Sequence, residues 1–364
     1  MGTDLALGLM SGTSADGVTA VLVRSARTSL KVLSLRNYPY PKGLRDRVLE
    51  ARFLTAARLS ELNFELGEFF ARCAVKTLGR RRVRVIGSHG QTVWHGPEGR
   101  FPNTLQLGEP CVIAERTGAA VVADFRTREM AAGGQGAPLV PAFDEFIFAR
   151  GPLRAVINIG GIANASLVGR GRLWNAFDTG PGNGPLDLAV RQATRGRLAF
   201  DRNGGLALKG RADDRLVRRL LSDPFLRRRP PKSLDKSYFG ELFLRRHFGK
   251  PSLARLPDVL ATLSRFVARS IADSCRRFAP GTVHEAVISG GGAFNRALRR
   301  ELESAFSPIP LSSSDRFGLP VMAKEAACFA WLALRAIQGR PNNCPAATGS
   351  RGRRVLGKIA PGEA

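Results

Sequence analysis

The sequence has few of the residues that build disulfide frameworks and metal sites. Its 364 residues include only five cysteines and four histidines. The cysteines are odd in number, widely scattered and without a CxxC pair, which argues against both a disulfide framework and a zinc site. This usage is typical of a protein from a reducing compartment, and we therefore predict a cytoplasmic location.

Long uninterrupted apolar runs are also missing. The most apolar candidate, residues 326–337, is amphipathic and is interrupted by Arg335, so it is too short and too polar to cross a bilayer. The first ten residues contain Asp4 and no basic residue before their apolar run, which is unlike a secretory signal. We therefore expect no membrane partner.

Acidic residues are scarce relative to basic ones. The chain has 30 Asp and Glu against 56 Lys and Arg, a formal net charge of +26, and clustered cations are what nucleic-acid phosphates bind. The basic runs, at residues 79–85, 225–232 and 350–355, nevertheless lack interleaved aromatics and any recognisable nucleic-acid-binding signature. We interpret the charge as solvated surface and expect no specific nucleic-acid partner.

The rest of the composition is that of a folded globular protein. An apolar fraction of 44% over 364 residues can bury a full core, and this length favours two domains. Apolar strands alternate with amphipathic helices, such as residues 56–78 and 258–278, and two strand-turn-strand units occur at residues 4–23 and 153–169. The pattern predicts an α/β protein with two related lobes.

Three glycine-rich turns follow apolar strands. The first is GTSADG at residues 12–17, the second surrounds Gly160 and Gly161, and the third is SGGGAFN at residues 289–295. Backbone N–H groups at such turns form concave anion sites, and glycine lets phosphate oxygens approach closely. Taken singly, each turn is better explained as an ordinary connection, because none has the spacing of a known phosphate motif. Together they predict a nucleotide held between the two lobes.

The stretch FDTGPGN, residues 177–183, encloses one acid, Asp178, among turn-forming residues. On this segment alone a plain turn is the better interpretation. His89 and His95 could serve as metal ligands or as an acid-base pair, but no third ligand is spaced to join them, so we expect them to bond loop backbone or line a cleft. Residues 123–144 predict a long functional loop, in which Arg126 suits a polar sugar or a carboxylate.

Ordered motifs along the whole chain resemble the anhydro-N-acetylmuramic acid kinases, within the superfamily of actin-like ATPases, sugar kinases and hexokinase-like proteins. These motifs are GLMSGTSADG, SHGQTVWH, ADFRTREMAAGGQGAPLVPAFD, NIGGIAN, FDTGPGN, PPKS, DVLATL, SGGGAFN, KEAACFA and VLGKI. The resemblance implies two ribonuclease-H-like lobes with ATP in the cleft between them. Lobe I would comprise residues 1–128 with 347–364 and carry the first phosphate loop. Lobe II, residues 129–346, would carry the catalytic acid and the other glycine-rich elements.

The resemblance also implies an activity and its residues. The family converts 1,6-anhydro-N-acetylmuramic acid, ATP and water into N-acetylmuramic acid 6-phosphate, a step in recycling cell-wall sugar. Asp178 matches the catalytic acid, and Arg126 and Glu325 match positions of sugar contact. Mg²⁺ would bind through the ATP phosphates, with Asp16 as a candidate ligand. The implied nucleotide contacts are Gly12, Thr13, Ser14, Ala15, Asp16, Gly17, Val18, Thr19, Gly160, Gly161, Gly290, Gly291 and Gly292.

The implied mechanism gives Asp178 one role. It acts as general base for water that attacks the anomeric carbon, while the released 6-oxygen attacks the γ-phosphate. Two alternatives stay open: a conventional sugar kinase, in which Asp178 deprotonates a free hydroxyl, and a non-catalytic nucleotide-dependent sensor, favoured only by the positive charge. The sequence also leaves the assembly state open, a homodimer included. Departures from the usual family residues occur at Ala15, Thr19, Glu129 and Gly184-Pro185.

Overall fold

The computed structural model describes residues 4–12, 14–235 and 237–363. Its strands are β1 (Asp4–Ser11), β2 (Gly17–Ser25), β3 (Leu30–Pro39), β4 (Val85–Gly96), β5 (Asn103–Leu107), β6 (Val121–Ala123), β7 (Arg154–Ile159), β8 (Ile162–Gly169), β9 (Arg172–Pro181), β10 (Glu285–Ser289), β11 (Leu311–Ser313) and β12 (Lys358–Ala360). Its α-helices are α1 (Lys42–Glu50), α2 (Ala56–Leu78), α3 (Pro110–Thr117), α4 (Phe125–Ala131), α5 (Val140–Phe148), α6 (Gly184–Ala193), α7 (Asp214–Leu220), α8 (Pro224–Arg227), α9 (Glu241–Phe248), α10 (Leu256–Phe278), α11 (Arg296–Phe306), α12 (Lys324–Ile337) and α13 (Pro345–Thr348).

The first sheet contains seven strands of the described chain. Its order is β12-β6-β4-β1-β2-β3, and β5 pairs with β4. Strands β1, β2 and β3 form an antiparallel meander, whereas β4 runs parallel to β1 and β6 runs parallel to β4. Parallel neighbours need a crossover connection, and the long helix α2 lies in the crossover from β3 to β4.

The second sheet repeats this arrangement. Its order is β11-β10-β7-β8-β9, with an antiparallel meander β7-β8-β9 and two strands, β10 and β11, that continue parallel to β7. Read from the meander outward, β9-β8-β7-β10-β11 therefore matches β3-β2-β1-β4-β6 in both order and direction. The predicted α/β fold with two ribonuclease-H-like lobes is confirmed.

The chain forms two compact units with boundaries other than the predicted ones. The first unit comprises residues up to Ile147 together with those from Gly318, and the second comprises Phe148–Phe317. The predicted division placed residues 129–147 and 318–346 in the second lobe. The structure places both segments in the first unit.

Helix α12 supplies the physical reason for this correction. It packs directly on the first sheet, because Gly8 of β1 and Gly87 of β4 let its backbone come so close that a Cβ at either glycine would overlap a helix carbonyl oxygen. The buried ion pair between Lys324 of α12 and Asp144 of α5, 3.1 Å long, joins the other reassigned segment to the same unit. The close packing on two glycines and the buried ion pair therefore explain why α12 and α5 belong to the first unit.

The predicted hairpins and long helices are confirmed. Residues 4–23 and 153–169 form the hairpins β1-β2 and β7-β8. Helix α2 spans the predicted 56–78, with Thr55 accepting a hydrogen bond from the backbone N–H of Arg58 and Gly79 ending it at φ 59°. Helix α10 begins two residues before the predicted start, and it buries an apolar stripe in the core of the second unit.

The predicted long loop at residues 123–144 is wrong. Helix α4 begins at Phe125 and helix α5 begins at Val140, so only a short connection separates them. The glycines of this connection interrupted the apolar periodicity that identifies helices in sequence. Within the described residues, none of the helices combines the length and the apolarity that crossing a membrane requires.

Candidate active site

The turn between β1 and β2 holds the first predicted group of nucleotide contacts. Gly12 and Ser14 flank Thr13, which lies outside the described residues. Ala15 adopts φ 53° and donates its N–H to the Gly12 carbonyl over 3.1 Å. The Asp16 side chain is 74% exposed and lies 3.6 Å from the Arg45 guanidinium. The turn is thus a compact loop whose exposed carboxylate lies near one guanidinium.

Four of the predicted contacts around this turn have structural roles of their own. Val18 is buried in the core of the first unit, as is Ala15, so neither can offer a nucleotide more than its backbone. Gly17 has φ 146° and packs so closely on Tyr38 of β3 that a Cβ would overlap its carbonyl oxygen. The Thr19 hydroxyl donates to Asn37 Oδ1 over 2.8 Å. The sequence alone did not separate these positions from the exposed ones.

The turn between β7 and β8 is tied to the residues that follow β9. The Gly161 carbonyl accepts the N–H groups of Gly182 and Gly184, each over 3.0 Å, and the Gly160 carbonyl accepts the N–H of Asn183 over 2.8 Å. A Cβ built on Gly161 would meet no atom within 4 Å. With its carbonyls held inward, this turn presents an open glycine surface to a ligand.

The third glycine group follows β10 and precedes helix α11. Gly290 has φ +82°, and a Cβ there would lie 2.8 Å from Asn158 Oδ1, whereas Gly292 packs against Ile159. Gly291 between them has open space around it. Asn295 caps α11 by accepting the N–H of Leu298 over 3.1 Å. Gly291 is therefore the member of this group that leaves room for a ligand.

Asp178 lies in strand β9, so the interpretation of its segment as a plain turn is wrong. It pairs with Asn164 of β8, whereas Gly180 pairs with Ala163, which leaves Thr179 as an extra residue in a β-bulge. The Thr179 hydroxyl donates to the Ala163 carbonyl over 3.0 Å and anchors the bulge. Bulges bend a strand and re-aim a side chain, and this one sits directly beside the acid.

Asp178 is half-buried, and both its carboxyl and its main chain are held by hydrogen bonds. Its Oδ2 accepts the N–H of Leu234 over 2.8 Å, and the Asp178 N–H donates to the Lys232 carbonyl over 3.1 Å. Burial raises the pKa of Asp178 to about 6, although the Leu234 N–H and the Lys232 ammonium each act to lower it. A carboxyl with a pKa near neutrality can both accept and retain a proton in the physiological range.

Arg126 and His89 form a fixed pair in the first unit. His89 is buried, and its Nδ1 lies 3.0 Å from the Gly90 carbonyl, which can only accept, so Nδ1 carries the proton. Its Nε2 therefore accepts from Arg126 Nε and Nη2, at 3.1 and 3.0 Å. Burial and the neighbouring guanidinium lower the pKa of His89 to about 3. This histidine was expected to bond loop backbone or line a cleft, but the backbone group that it bonds, Gly90, lies in strand β4 rather than in a loop.

The remaining donors of Arg126 are few and defined. Nη1 donates to the Gly136 carbonyl over 2.8 Å, which leaves one N–H on each terminal nitrogen. Glu325 is half-buried, and burial raises its pKa while Arg126 and Lys324 lower it. Glu129 is fully buried, accepts the N–H of Gly136 over 3.0 Å and bonds the Thr348 hydroxyl. This departure from the usual family residue thus serves to hold the loop beneath Arg126.

The contacts that sequence reasoning missed are those between distant segments. His89 was considered as a metal ligand, as an acid-base residue or as a residue that bonds loop backbone or lines a cleft, not as the acceptor that orients Arg126. Lys232 was part of the quoted motif PPKS without a role, and Leu234, which also holds Asp178, was not singled out. No periodicity or spacing signals such pairs. In the part of the chain that the structure describes, no three His, Cys, Asp or Glu side chains are grouped closely enough to hold a metal ion.

Comparisons with known proteins show the family to which the chain is similar. A family model described as anhydro-N-acetylmuramic acid kinase matches residues 4–362. A protein of that name from Gloeobacter violaceus is 42% identical, and the match covers 99% of this chain and 100% of that protein. Another, from Caldanaerobacter subterraneus subsp. tengcongensis, is 38% identical, with 98% and 96% covered. Among solved structures, component A of (R)-2-hydroxyglutaryl-CoA dehydratase from Acidaminococcus fermentans is 13% identical, with 91% and 98% covered and a TM-score of 0.49.

Proposed function

The chain belongs to the anhydro-N-acetylmuramic acid kinase family, and we propose that it opens the 1,6-anhydro ring of anhydro-N-acetylmuramic acid with water and phosphorylates the released 6-oxygen with ATP. The single observation that carries the chemical proposal is the position of Asp178. Its carboxyl is held by a backbone N–H at 2.8 Å beside a bulge, with a pKa raised to about 6. A general base works best with such a pKa.

The atoms of the reaction balance with Asp178 as the only base. Asp178 takes a proton from water as the water oxygen bonds to the anomeric carbon. The bond between that carbon and the 6-oxygen breaks, and its electron pair stays on the 6-oxygen. This oxygen then attacks the γ-phosphorus, the bond to the β-phosphate oxygen breaks, and ADP leaves. One base suffices because the 6-oxygen that leaves the anomeric carbon is itself the nucleophile of the second step.

The open glycines are the proposed phosphate contacts. Gly161 and Gly291 have free space where a side chain would be, and Gly12 meets only the Ser14 hydroxyl at 3.7 Å. Glycine at such places lets phosphate oxygens reach the backbone N–H groups. The closely packed neighbours Gly290 and Gly292 serve instead to pack the strand-to-helix connection, which keeps the open glycines in place.

Magnesium fits this chain as a partner of the phosphates. Mg²⁺ commonly keeps several waters and takes one or two carboxylates in addition to phosphate oxygens, so it does not need a cluster of protein ligands. The exposed carboxylate of Asp16 is the proposed contact, since its only ion pair in the described structure is the 3.6 Å pair with Arg45. When bound there, the ion would supply charge neutralisation to the phosphates.

Arg126 is the proposed contact for the lactyl carboxylate of the sugar. His89 and the Gly136 carbonyl take three of its five N–H groups, and the two that remain, one on each terminal nitrogen, suit a carboxylate. Glu325 is proposed to accept from a sugar hydroxyl or amide. An anhydro-sugar without the carboxylate should therefore bind this chain more weakly.

Product analysis in oxygen-18 water tests the proposal. Ring opening by water places one solvent oxygen on the anomeric carbon, whereas a conventional sugar kinase acting on a free hydroxyl gains none during transfer. Because a free anomeric carbon exchanges oxygen slowly with water, the product is reduced with borohydride within seconds and compared with unlabelled product incubated in the same water. ADP release that depends on the anhydro-sugar excludes a non-catalytic sensor, and absence of such release would overturn the proposed function.

A further inference from the structure

Lys232 is a buried cation next to the proposed base. Only 5% of its surface is exposed, and its own carbonyl accepts the N–H of Asp178 over 3.1 Å. Two residues later, the N–H of Leu234 donates to Asp178 Oδ2. The short segment that begins with Lys232 therefore holds both the main chain and the side chain of Asp178.

The Lys232 ammonium lies among aromatic rings rather than beside a carboxylate. Its Nζ is 4.7 Å from the ring centre of Phe225, 5.2 Å from that of Phe278 and 5.8 Å from that of Phe177. Its hydrogen bonds, to the carbonyls of Phe225 and Leu226, are long at 3.4 Å. Among the described residues no carboxylate oxygen lies within 4.0 Å of it. Aromatic faces attract a cation, but they compensate only part of the cost of burying it.

The charges around this ammonium make its burial still less favourable. Burial lowers the pKa of Lys232 to about 8; Arg277 of α10 and Arg228 act in the same direction, whereas Asp178 and the thiol of Cys275 oppose it. An isolated structural anchor in this position would be better as an apolar side chain of similar length. The charge therefore calls for a role beyond packing.

We propose that Lys232 is a positioning residue for the reaction: its caged ammonium keeps Asp178 ionised, and its backbone segment keeps the carboxyl aimed by the bulge. The inference rests on the proposed role of Asp178 as base. The electrostatic part has a definite sign. A nearby cation favours the carboxylate over the carboxylic acid, so removing the cation makes Asp178 harder to ionise.

The test is the pH dependence of kcat/KM in Lys232→Met. Methionine keeps an unbranched stem among the rings without the charge. We expect the acidic limb of the profile, near pH 6 in the native protein, to move upward by roughly half to one pH unit. The rate at pH 8 should recover most of its native value, and the KM for ATP should not change. A residue that only packs would lower the rate equally at all pH values.

Two further variants make every outcome decisive. Asp178→Asn should abolish the limb, and if it leaves turnover and limb intact, the proposed function fails rather than this inference. If Asp178→Asn abolishes the limb but Lys232→Met leaves it at its native pH, the inference is overturned. Should the methionine variant not fold, Lys232→Gln, which also removes the charge, takes its place: a limb displaced upward supports the role of the charge, and a limb at the native pH contradicts it.

Discussion

Replacing Asp178 by Asn separates a catalytic role from a structural one. The amide has the same shape, and its carbonyl oxygen can still accept the Leu234 N–H that now lies 2.8 Å from Oδ2. It cannot take a proton from water. Loss of a general base typically costs about 100- to 10,000-fold in rate, so we expect turnover of the anhydro-sugar to fall by at least ~100-fold while the affinity for ATP stays close to native.

The pKa of Asp178 gives this prediction a pH signature. With a pKa of about 6, about one carboxyl in eleven is ionised at pH 5, so native kcat/KM should be roughly tenfold lower at pH 5 than at pH 8. The asparagine variant should show no such limb. Turnover is measured by coupled ADP release, ATP affinity by calorimetry, and both are measured on the same protein sample.

Stability should change in the opposite direction to activity. Because the folded pKa of Asp178 lies above its ordinary value of 3.8, the fold binds this proton more tightly than the unfolded chain, and stability is lost as pH rises from about 4 to 6. At pH 8 the asparagine variant avoids that cost and should melt at a higher temperature. Its free energy of unfolding should exceed that of the native protein by about 3 kcal/mol at most. Near-native turnover together with a lower melting temperature would refute the role of base.

Other substitutions test the remaining parts of the site. Gly161→Ala should raise the KM for ATP at least severalfold without changing the melting temperature, because its Cβ meets nothing within 4 Å. Gly182→Ala, whose Cβ would overlap a neighbouring carbonyl, should instead destabilise the fold by about 1–3 kcal/mol in denaturant titrations. Equal melting temperatures of the two variants would contradict this contrast. Gly12→Val should also raise the KM for ATP without unfolding, as binding calorimetry and circular dichroism would report. His89→Ala should lower kcat/KM for the anhydro-sugar about tenfold or more by freeing Arg126, and an unchanged value would remove the histidine from the site.

Local sequence predicted the elements of this fold well, because each carries its own periodicity. Helix α2 has an apolar stripe, an N-terminal cap at Thr55 and a terminal Gly79, and each hairpin joins two apolar runs through a short polar turn. The two-lobe organisation followed from repetition of these units. What failed was the assignment of α12 to a lobe, since the glycines on which it packs, Gly8 and Gly87, are more than two hundred residues away in the chain.

The site itself was predicted residue by residue only through family resemblance. Glycine spacing indicated anion-binding turns but did not separate the open Gly291 from the packed Gly290 and Gly292. The pairs that set the chemistry, Arg126 with His89 and Asp178 with the segment at 232–234, are brought together by tertiary structure. Their energetics depend on burial, which no local pattern in the sequence reports.

The strand pairs β2-β3 and β8-β9 occupy matching positions in the two sheets, but only the second carries a proposed reacting group. In the first sheet Asn37 of β3 faces Thr19 of β2, two positions inside the end of the pairing at Pro39. In the second sheet Asp178 of β9 faces Asn164 of β8, and the pairing ends at Ile162 and Pro181. Asn164 lies two residues from that end on β8, whereas Asp178 lies three residues from it on β9.

The one-residue difference is Thr179, the bulged residue. A regular strand would have placed residue 179 opposite Asn164 and turned Asp178 to the other face of the sheet, because side chains alternate. The bulge therefore puts the carboxylate at the position that an amide occupies in the first sheet, where Asn37 merely accepts a hydroxyl from its neighbour. Thr179 is held by its hydroxyl to Ala163 and by its carbonyl to the Ser274 hydroxyl at 3.3 Å, so the extra residue is fixed in the core. Compared with Asn37 of the first sheet, the Asp178 position therefore differs in two ways: an acid replaces an amide, and one extra residue is present. A variant that lacks Thr179 should lose activity even though every proposed contact residue remains.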